Sequence, residues 1–409
     1  MILGMTQHLY YHDSFLYNFD AEVQEISEST KPGIVLDRTA FYPTSGGQIH
    51  DKGVITSGDE QLTVAEVVDA EEGRIIHYLE APPKRIRPGS QIRGQIDATR
   101  RRDHMQQHTG QHVLSAAFIR LYNMPTVSFH MGDDYCSIDL DTLTLSKEQI
   151  ESAERQANEI ILENRSVAIR FVTREEAGNL GLRKIPPADR DQLRLIEIQD
   201  FDLSACGGTH VSQTGQIGCI LLRKAEKVRL GCRVEFIAGQ RAVATARRDF
   251  TTLTEAAGLF SAHIYDVPQQ ARKSLDEIRV LRKQREQSLE ELAEAQASAI
   301  LAETAEINGR RLVIRTFADR DMNFLKLLAQ KLTRIAPNTA VLLATISPQP
   351  SLIFAQSSGQ PSDMGALMKE VMSKFGGRGG GARDMAQGGL PSPDVVASAL
   401  DHASVALGT

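Results

Sequence analysis

From about residue 6 to residue 97, apolar and polar side chains alternate in short runs. AEVQEIS, GIVLDRT, LTVAEVVD, GRIIHYLE and QIRGQID are separated by Gly, Pro and Asp, the residues of turns. Alternation at period two turns one face of each strand inward, and such regularly spaced strands predict a small β-barrel over residues 1–97. The period then lengthens. DHMQQHTGQHVLSAAFIRLY predicts an amphipathic helix with Met105, Val113, Leu114, Ala117 and Leu121 on or near one side.

A strand, CSIDLDTL, and a second helix, SKEQIESAERQANEIILEN, follow; Ser146 with Gln149 three residues on has the pattern of a capping box. The strand VAIRFVT, a loop with Pro186 and Pro187, the strand LRLIEIQDF and an antiparallel pair, GCILLRKAE and CRVEFIAG, complete an α+β domain over residues 98–260. Residues 261–308 predict a charged helical linker. Leu275, Ile278, Leu289 and Leu292 recur at heptad spacing, but Arg282 and Arg285 interrupt the seam, which favours a solvated helix or helical hairpin over a coiled coil. Strands RRLVIRTF, AVLLATI and SLIFAQSS and helices FLKLLAQKLTR and PDVVASALDHASVAL predict an α/β domain over residues 309–409. The fold class is a multidomain α+β protein.

A length of 409 residues accommodates these domains with sizeable cores. Four scattered cysteines cannot staple a disulfide scaffold, and no signal peptide opens the chain, so a reducing cytoplasm is expected. No run approaches the ~18 apolar residues that span a membrane. The net charge of −6 leans against nucleic acid, so any such partner requires a local basic face. Two places offer one. Arg100, Arg101 and Arg102 immediately precede the histidine helix, and Arg378 and Arg383 lie in GGRGGGARDMAQGG. That glycine run is either a flexible linker or a source of backbone N–H groups for a phosphate; its arginines favour the anion. No Gly-Lys-Ser/Thr follows it, so it is not a Walker A loop.

Candidate chemistry concentrates in two short pairs, His108 and His112 in HTGQH and Cys206 and His210 in CGGTH. Histidines four apart share one helix face, roughly 5–6 Å apart at Cβ, and both can reach one ion. Gly207 and Gly208 suit a tight turn that brings Cys206 and His210 together. A thiolate with imidazoles is a good zinc set, which predicts one Zn2+ per chain. Protease chemistry is disfavoured because Thr109 and Gln111 occupy the positions where HExxH and HxxEH need Glu. His104, four residues further upstream, reads as a surface residue or a neighbour of the ligands. FYPTSGGQIHDKG is either a plain glycine turn or, through Thr44, Gly46, Gly47 and Gln48, a pocket wall for a small polar ligand.

FYPTSGGQIHDKG, HTGQH, CGGTH and RVEFIAGQRA stand in the order seen in the editing domain of alanyl-tRNA synthetases and the free-standing AlaX proteins, which residues 6 to 245 resemble. The tail resembles the DHHA1 domain, so the whole is similar to a long-form AlaX trans-editing factor. This resemblance implies a zinc site of His108, His112, Cys206 and His210 acting catalytically through the metal. It implies an acyl pocket including Thr44 to Gln48, with Thr44 as first contact for a serine hydroxyl. It further implies deacylation of Ser-tRNA(Ala) and Gly-tRNA(Ala), with tRNA(Ala) held at its acceptor end and elbow. The linker or C-terminal domain is where a homodimer would form. The chain opens on the editing-like barrel, so it is not expected to charge tRNA, and without a DHH partner domain no phosphoesterase activity is implied. Two readings compete: an RNA-binding protein with a structural zinc and no deacylase activity, and a zinc hydrolase of a small non-RNA ester.

Overall fold

The computed structural model describes residues 5–27, 31–70, 73–180, 182, 192–229, 231–347 and 349–408. The expected loop with Pro186 and Pro187 lies outside the described residues. The chain divides into two compact units, Met1–Glu255 and Ala256–Thr409.

In the first unit, strands Asn18–Ser27, Gly33–Leu36, Gly53–Ser57, Glu60–Ala70, Arg74–Leu79 and Gln91–Ile96 close into an antiparallel barrel. Alternate residues fill it: Val23, Ile34, Ile55, Val64, Val67 and Ile75 are completely buried. Sequence patterning passes over the strand Gly53–Ser57, because it adjoins the glycine turn. Gly53 is required there, since a Cβ would lie 2.1 Å from the Gln95 carbonyl oxygen.

Helix α1 (Ala98–Tyr122) starts at Asp97, whose carboxylate accepts from the backbone N–H groups of Thr99 and Arg100. It therefore begins earlier than the apolar period indicates, and Arg100–Arg102 occupy its first turns instead of preceding it. From His104 to Phe118 every residue is buried, so α1 is a central helix and not an amphipathic surface one. Only near its end does Leu121 emerge. Against α1 pack helix α2 (Lys147–Leu162) and an antiparallel sheet of Ile220–Val228, Gly231–Ala238, Cys136–Leu140 and Thr126–Met131, in that order. Ser146 and Gln149 form the expected capping box on α2. A second sheet joins Val167–Thr173, Gln192–Ile198 and Asp202–Ala205, the first strand leading into short helix α3 (Arg174–Asn179). Helix α4 (Gly239–Leu259) follows Ala238.

In the second unit, helix α5 (Val267–Glu303) leaves Leu275 and Ile278 exposed but buries Ala293, Ala297 and Ile300 against Phe324, Leu325 and Leu328 of α6 (Met322–Ile335). A six-stranded sheet runs Glu306–Ile307, Arg310–Phe317, Thr339–Thr345, Ser351–Gln356, Met385–Gly389 and Arg378–Gly381, with α7 (Met364–Phe375) and α8 (Val396–Ala406) packed on it. The glycine run is thus a β-hairpin at the sheet edge and not a flexible linker. A Cβ on Gly388 would lie 2.7 Å from the Met372 sulfur, and one on Gly379 2.5 Å from the Gly388 Cα. Its glycines let a helix lie close on the sheet.

Candidate metal centre

His108 and His112 sit in the middle of α1, held by the buried helix. Cys206 and His210 sit on the loop that leaves the strand Asp202–Ala205. The ligand atoms of all four lie within 4.8 Å of one another. The Cys206 sulfur is 3.5 Å from His108 Nε2 and 3.3 Å from His210 Nε2. Those separations match the edge of about 3.5 Å expected between sulfur and nitrogen in a zinc tetrahedron with bonds of about 2.0–2.3 Å.

Each imidazole is tied from behind at Nδ1: His108 to Gln48 Oε1 at 2.7 Å, His112 to Asp202 Oδ2 at 3.2 Å, and His210 to Thr109 Oγ1 at 3.2 Å. The three Nε2 atoms are left to converge with the sulfur, an arrangement that orients rings for metal binding. The Gly208 N–H donates to the Cys206 sulfur at 3.3 Å. Burial opposes ionisation of Cys206, yet His108 and His210 outweigh it and hold the thiol well below its usual range. Burial also lowers His112, but hydrogen bonds to Asp202 and Cys206 prevail and raise it to about 9. Burial dominates at His210 and brings it down to about 3. One thiolate with three buried, ring-locked imidazoles is a donor set that fits zinc.

A cleft of about 370 Å³ opens beside the cluster, lined by His108, His112 and Cys206 together with Gly46, Gln111 and Thr126. Gln111 Nε2 donates to Ser115 Oγ at 2.8 Å, and Ser115 lies 2.6 Å from Thr126 Oγ1. Gln111 and Thr126 stand on the wall of the cleft next to the ligands, linked behind it by fully buried Ser115. Sequence patterning does not reveal this series, nor Thr109 and Asp202. Asp202 carries one signal that was available, a carboxylate four residues before Cys206 in DLSAC.

Of the expected pocket residues, Gly46 lines the cleft and Gly47 packs on Phe129, where a Cβ would meet the carbonyl oxygen at 2.4 Å. Thr44 is exposed and is not among the lining residues; its hydroxyl pairs with His50 Nδ1 at 3.0 Å. Gln48 is fully buried, its carboxamide committed to His108 and Thr209. The structure thus places neither side chain in the cleft.

The arginines separate too. Arg102, Arg378 and Arg383 are exposed, while Arg100 is half-buried and donates to the His50 carbonyl. Arg101 is 0% exposed, and its guanidinium is consumed by the Asp51 carboxylate and the carbonyls of Ser14 and Ala40. It cannot meet a phosphate. His104 is buried and not at the surface; neither ring nitrogen has a hydrogen-bond partner among the described residues, and burial pushes its pKa strongly down.

Three families match along the chain: "tRNA synthetases class II (A)" over residues 5–100, "Threonyl and Alanyl tRNA synthetase second additional domain" over 193–233, and "DHHA1 domain" over 309–408. The alanyl-tRNA editing protein AlaX-L of Pyrococcus horikoshii is 31% identical over 94% of this chain and 94% of its own length. The alanine–tRNA ligases of Thermococcus kodakarensis and Halorubrum lacusprofundi are 31% and 33% identical over 98% of this chain. The chain spans 44% of the length of each ligase.

Proposed function

The chain belongs to the AlaX-L family of alanyl-tRNA editing proteins, and from that premise we propose that it hydrolyses the ester of mischarged Ser-tRNA(Ala) and Gly-tRNA(Ala). The observation that carries this reading is the cleft lined by His108, His112 and Cys206, three of the four residues whose ligand atoms converge. His108, His112, Cys206 and His210 would hold one zinc ion. Zinc supplies, when bound, a Lewis acid able to polarise an ester carbonyl and ease ionisation of water. The chain's own residues orient and select. Gln111 and Thr126, linked through buried Ser115, supply hydrogen-bonding groups on the cleft wall for a seryl hydroxyl, and a site built around such a hydroxyl discriminates against the analogue lacking it. Gly46 leaves room at the same wall.

The acceptor end of tRNA(Ala) would enter this cleft. Exposed Arg378 and Arg383 support contact of the second unit with the elbow. Exposed Leu275 and Ile278 on α5 support a homodimer seam, which sedimentation velocity tests. No helix among the described residues is long and apolar enough to cross a membrane.

A specific observation favours a second reading: four protein ligands make a closed set, the pattern of a structural zinc in an RNA-binding protein. One assay separates the two. Ser-, Gly- and Ala-tRNA(Ala) are incubated with the protein, with and without a chelator, beside Cys206→Ala. Editing predicts hydrolysis of the first two, sparing of the third, and a loss of roughly 10²-fold or more in Cys206→Ala. Absence of hydrolysis by the zinc-loaded wild type would leave the structural reading standing.

A further inference from the structure

Gln48 belongs to the barrel, and its carboxamide closes the metal centre from outside. Oε1 accepts from His108 at 2.7 Å and from the Thr209 backbone N–H at 3.1 Å; Nε2 donates to Thr209 Oγ1 at 2.9 Å. A backbone N–H can only donate, so the atom facing it is the carboxamide oxygen. That oxygen cannot donate to His108, and Nδ1 must therefore carry the proton. His108 Nε2 is left with its lone pair toward the Cys206 sulfur, the state a metal ligand needs.

The turn that carries Gln48 is itself pinned. Gly47 O accepts from the Met131 N–H at 3.0 Å, and Gly47 has φ +85°, a conformation glycine adopts freely. On the other side a Cβ on Gly208 would lie 2.1 Å from His108 Cε1 and 2.9 Å from Gln48 Oε1, so the CGGTH loop closes tightly over the same contact. One side chain thus joins a barrel turn, the histidine helix and the cysteine loop, across 161 residues to Thr209.

We infer that Gln48 is a positioning residue that makes zinc retention depend on the barrel. The inference rests on the zinc-dependent editing reading for its consequence in catalysis, but its own readout is metal affinity. It assigns the barrel a task besides walling the cleft: it locks the proton on His108 and ties together the two ligand pairs.

The test uses the full chain. Zinc affinity is measured by competition with a chromophoric chelator for wild type, Gln48→Met and Gln48→Glu, with circular dichroism of the metal-free proteins as a folding control. Gln48→Met keeps the volume but loses the acceptor and is expected to weaken zinc by roughly 10–100-fold. Gln48→Glu keeps an acceptor for His108 and for the Thr209 N–H, and is expected to retain most of the affinity. If Gln48→Met does not fold, Gln48→Asn retracts the same carboxamide by one methylene and must weaken zinc in the same sense. In Ser-tRNA(Ala) hydrolysis a positioning role lowers kcat at limiting zinc, is rescued by excess zinc, and leaves KM unchanged.

Wild-type zinc affinity in a folded Gln48→Met or Gln48→Asn, or an equal loss in Gln48→Glu, overturns the inference. A raised KM at unchanged affinity would also overturn it and return Gln48 to substrate contact. A wild type whose zinc affinity depends on Gln48 but which deacylates nothing would sink the editing reading and leave this one intact.

Discussion

Inside the barrel, His77 is fully buried: its Nδ1–H donates to the Ile34 carbonyl at 3.2 Å, and Nε2 lies 2.8 Å from the Thr39 hydroxyl. Burial holds its pKa at about 4, below the ordinary 6.5. The unfolded chain therefore binds this proton more readily. The stabilisation is complete above pH 6.5 and is lost as pH falls toward 4, a swing of about 3 kcal/mol. Urea unfolding at pH 7 and pH 4.5 should show a shallower pH dependence in His77→Gln than in wild type; equal slopes would refute the assignment. At the metal centre, Gly208→Ala should abolish stoichiometric zinc binding, read by metal analysis of purified protein, while the barrel keeps its circular dichroism. At this scale the four ligands were legible because each pair lies within one turn of chain, where four-residue spacing has geometric meaning. The supporting parts of Gln48, singled out only as a pocket residue, and of Thr109 and Asp202 were not. Each reaches its histidine across 60, 101 and 90 residues respectively, and no local pattern records such a contact.

Helix α1 links the barrel to the ligands through one buried ion pair, Arg101 with Asp51. Removing one partner of such a pair strands the other charge. Arg101→Ala should therefore destabilise the first unit by about 3–5 kcal/mol, whereas Arg102→Ala, at an exposed position one residue on, should stay within about 0.5 kcal/mol. Chemical denaturation of the two variants checks the contrast, and similar costs would contradict it. A triplet RRR looks uniform in sequence, yet a helix turns about 100° per residue and sends each arginine to a different surface. The same helix shows why periodicity misled. Its start is set by Asp97 at the end of a strand, outside the apolar pattern, and buried polar residues break its period: His108 and His112 belong to the cluster, and Gln107 donates to the Ala238 carbonyl. Short strands fared better wherever alternation was unbroken. Gly53–Ser57 and the sheet edge Thr126–Met131 escape such patterning because each adjoins a turn whose composition masks it.

As a whole, the molecule divides at Glu255, close to the expected end of the α+β domain. The barrel and the metal-bearing segment share the first unit, as the hydrogen bonds of Gln48 and Arg101 require. We expect that deleting residues 256–409 weakens tRNA(Ala) binding and flattens its dependence on salt, while turnover at saturating Ser-tRNA(Ala) changes little. Filter binding at several salt concentrations gives the slope, which falls by about 0.7–0.9 for each phosphate that the shortened protein no longer neutralises. An unchanged slope would place the tRNA-binding surface in the first unit alone.

The span between Gln48 and Thr209 also bears on biosynthesis. A growing chain carries His108 and His112 on α1 long before Cys206 and His210 exist, so the ion cannot be enclosed until about half of the 409 residues have been made. Until then Gln48 has His108 but not Thr209, and His112 lacks Asp202, so a long loop must close before the interactions that reward it form. An ion held by these four side chains would therefore be captured late, as a seal on a nearly finished unit and not as a seed for its folding.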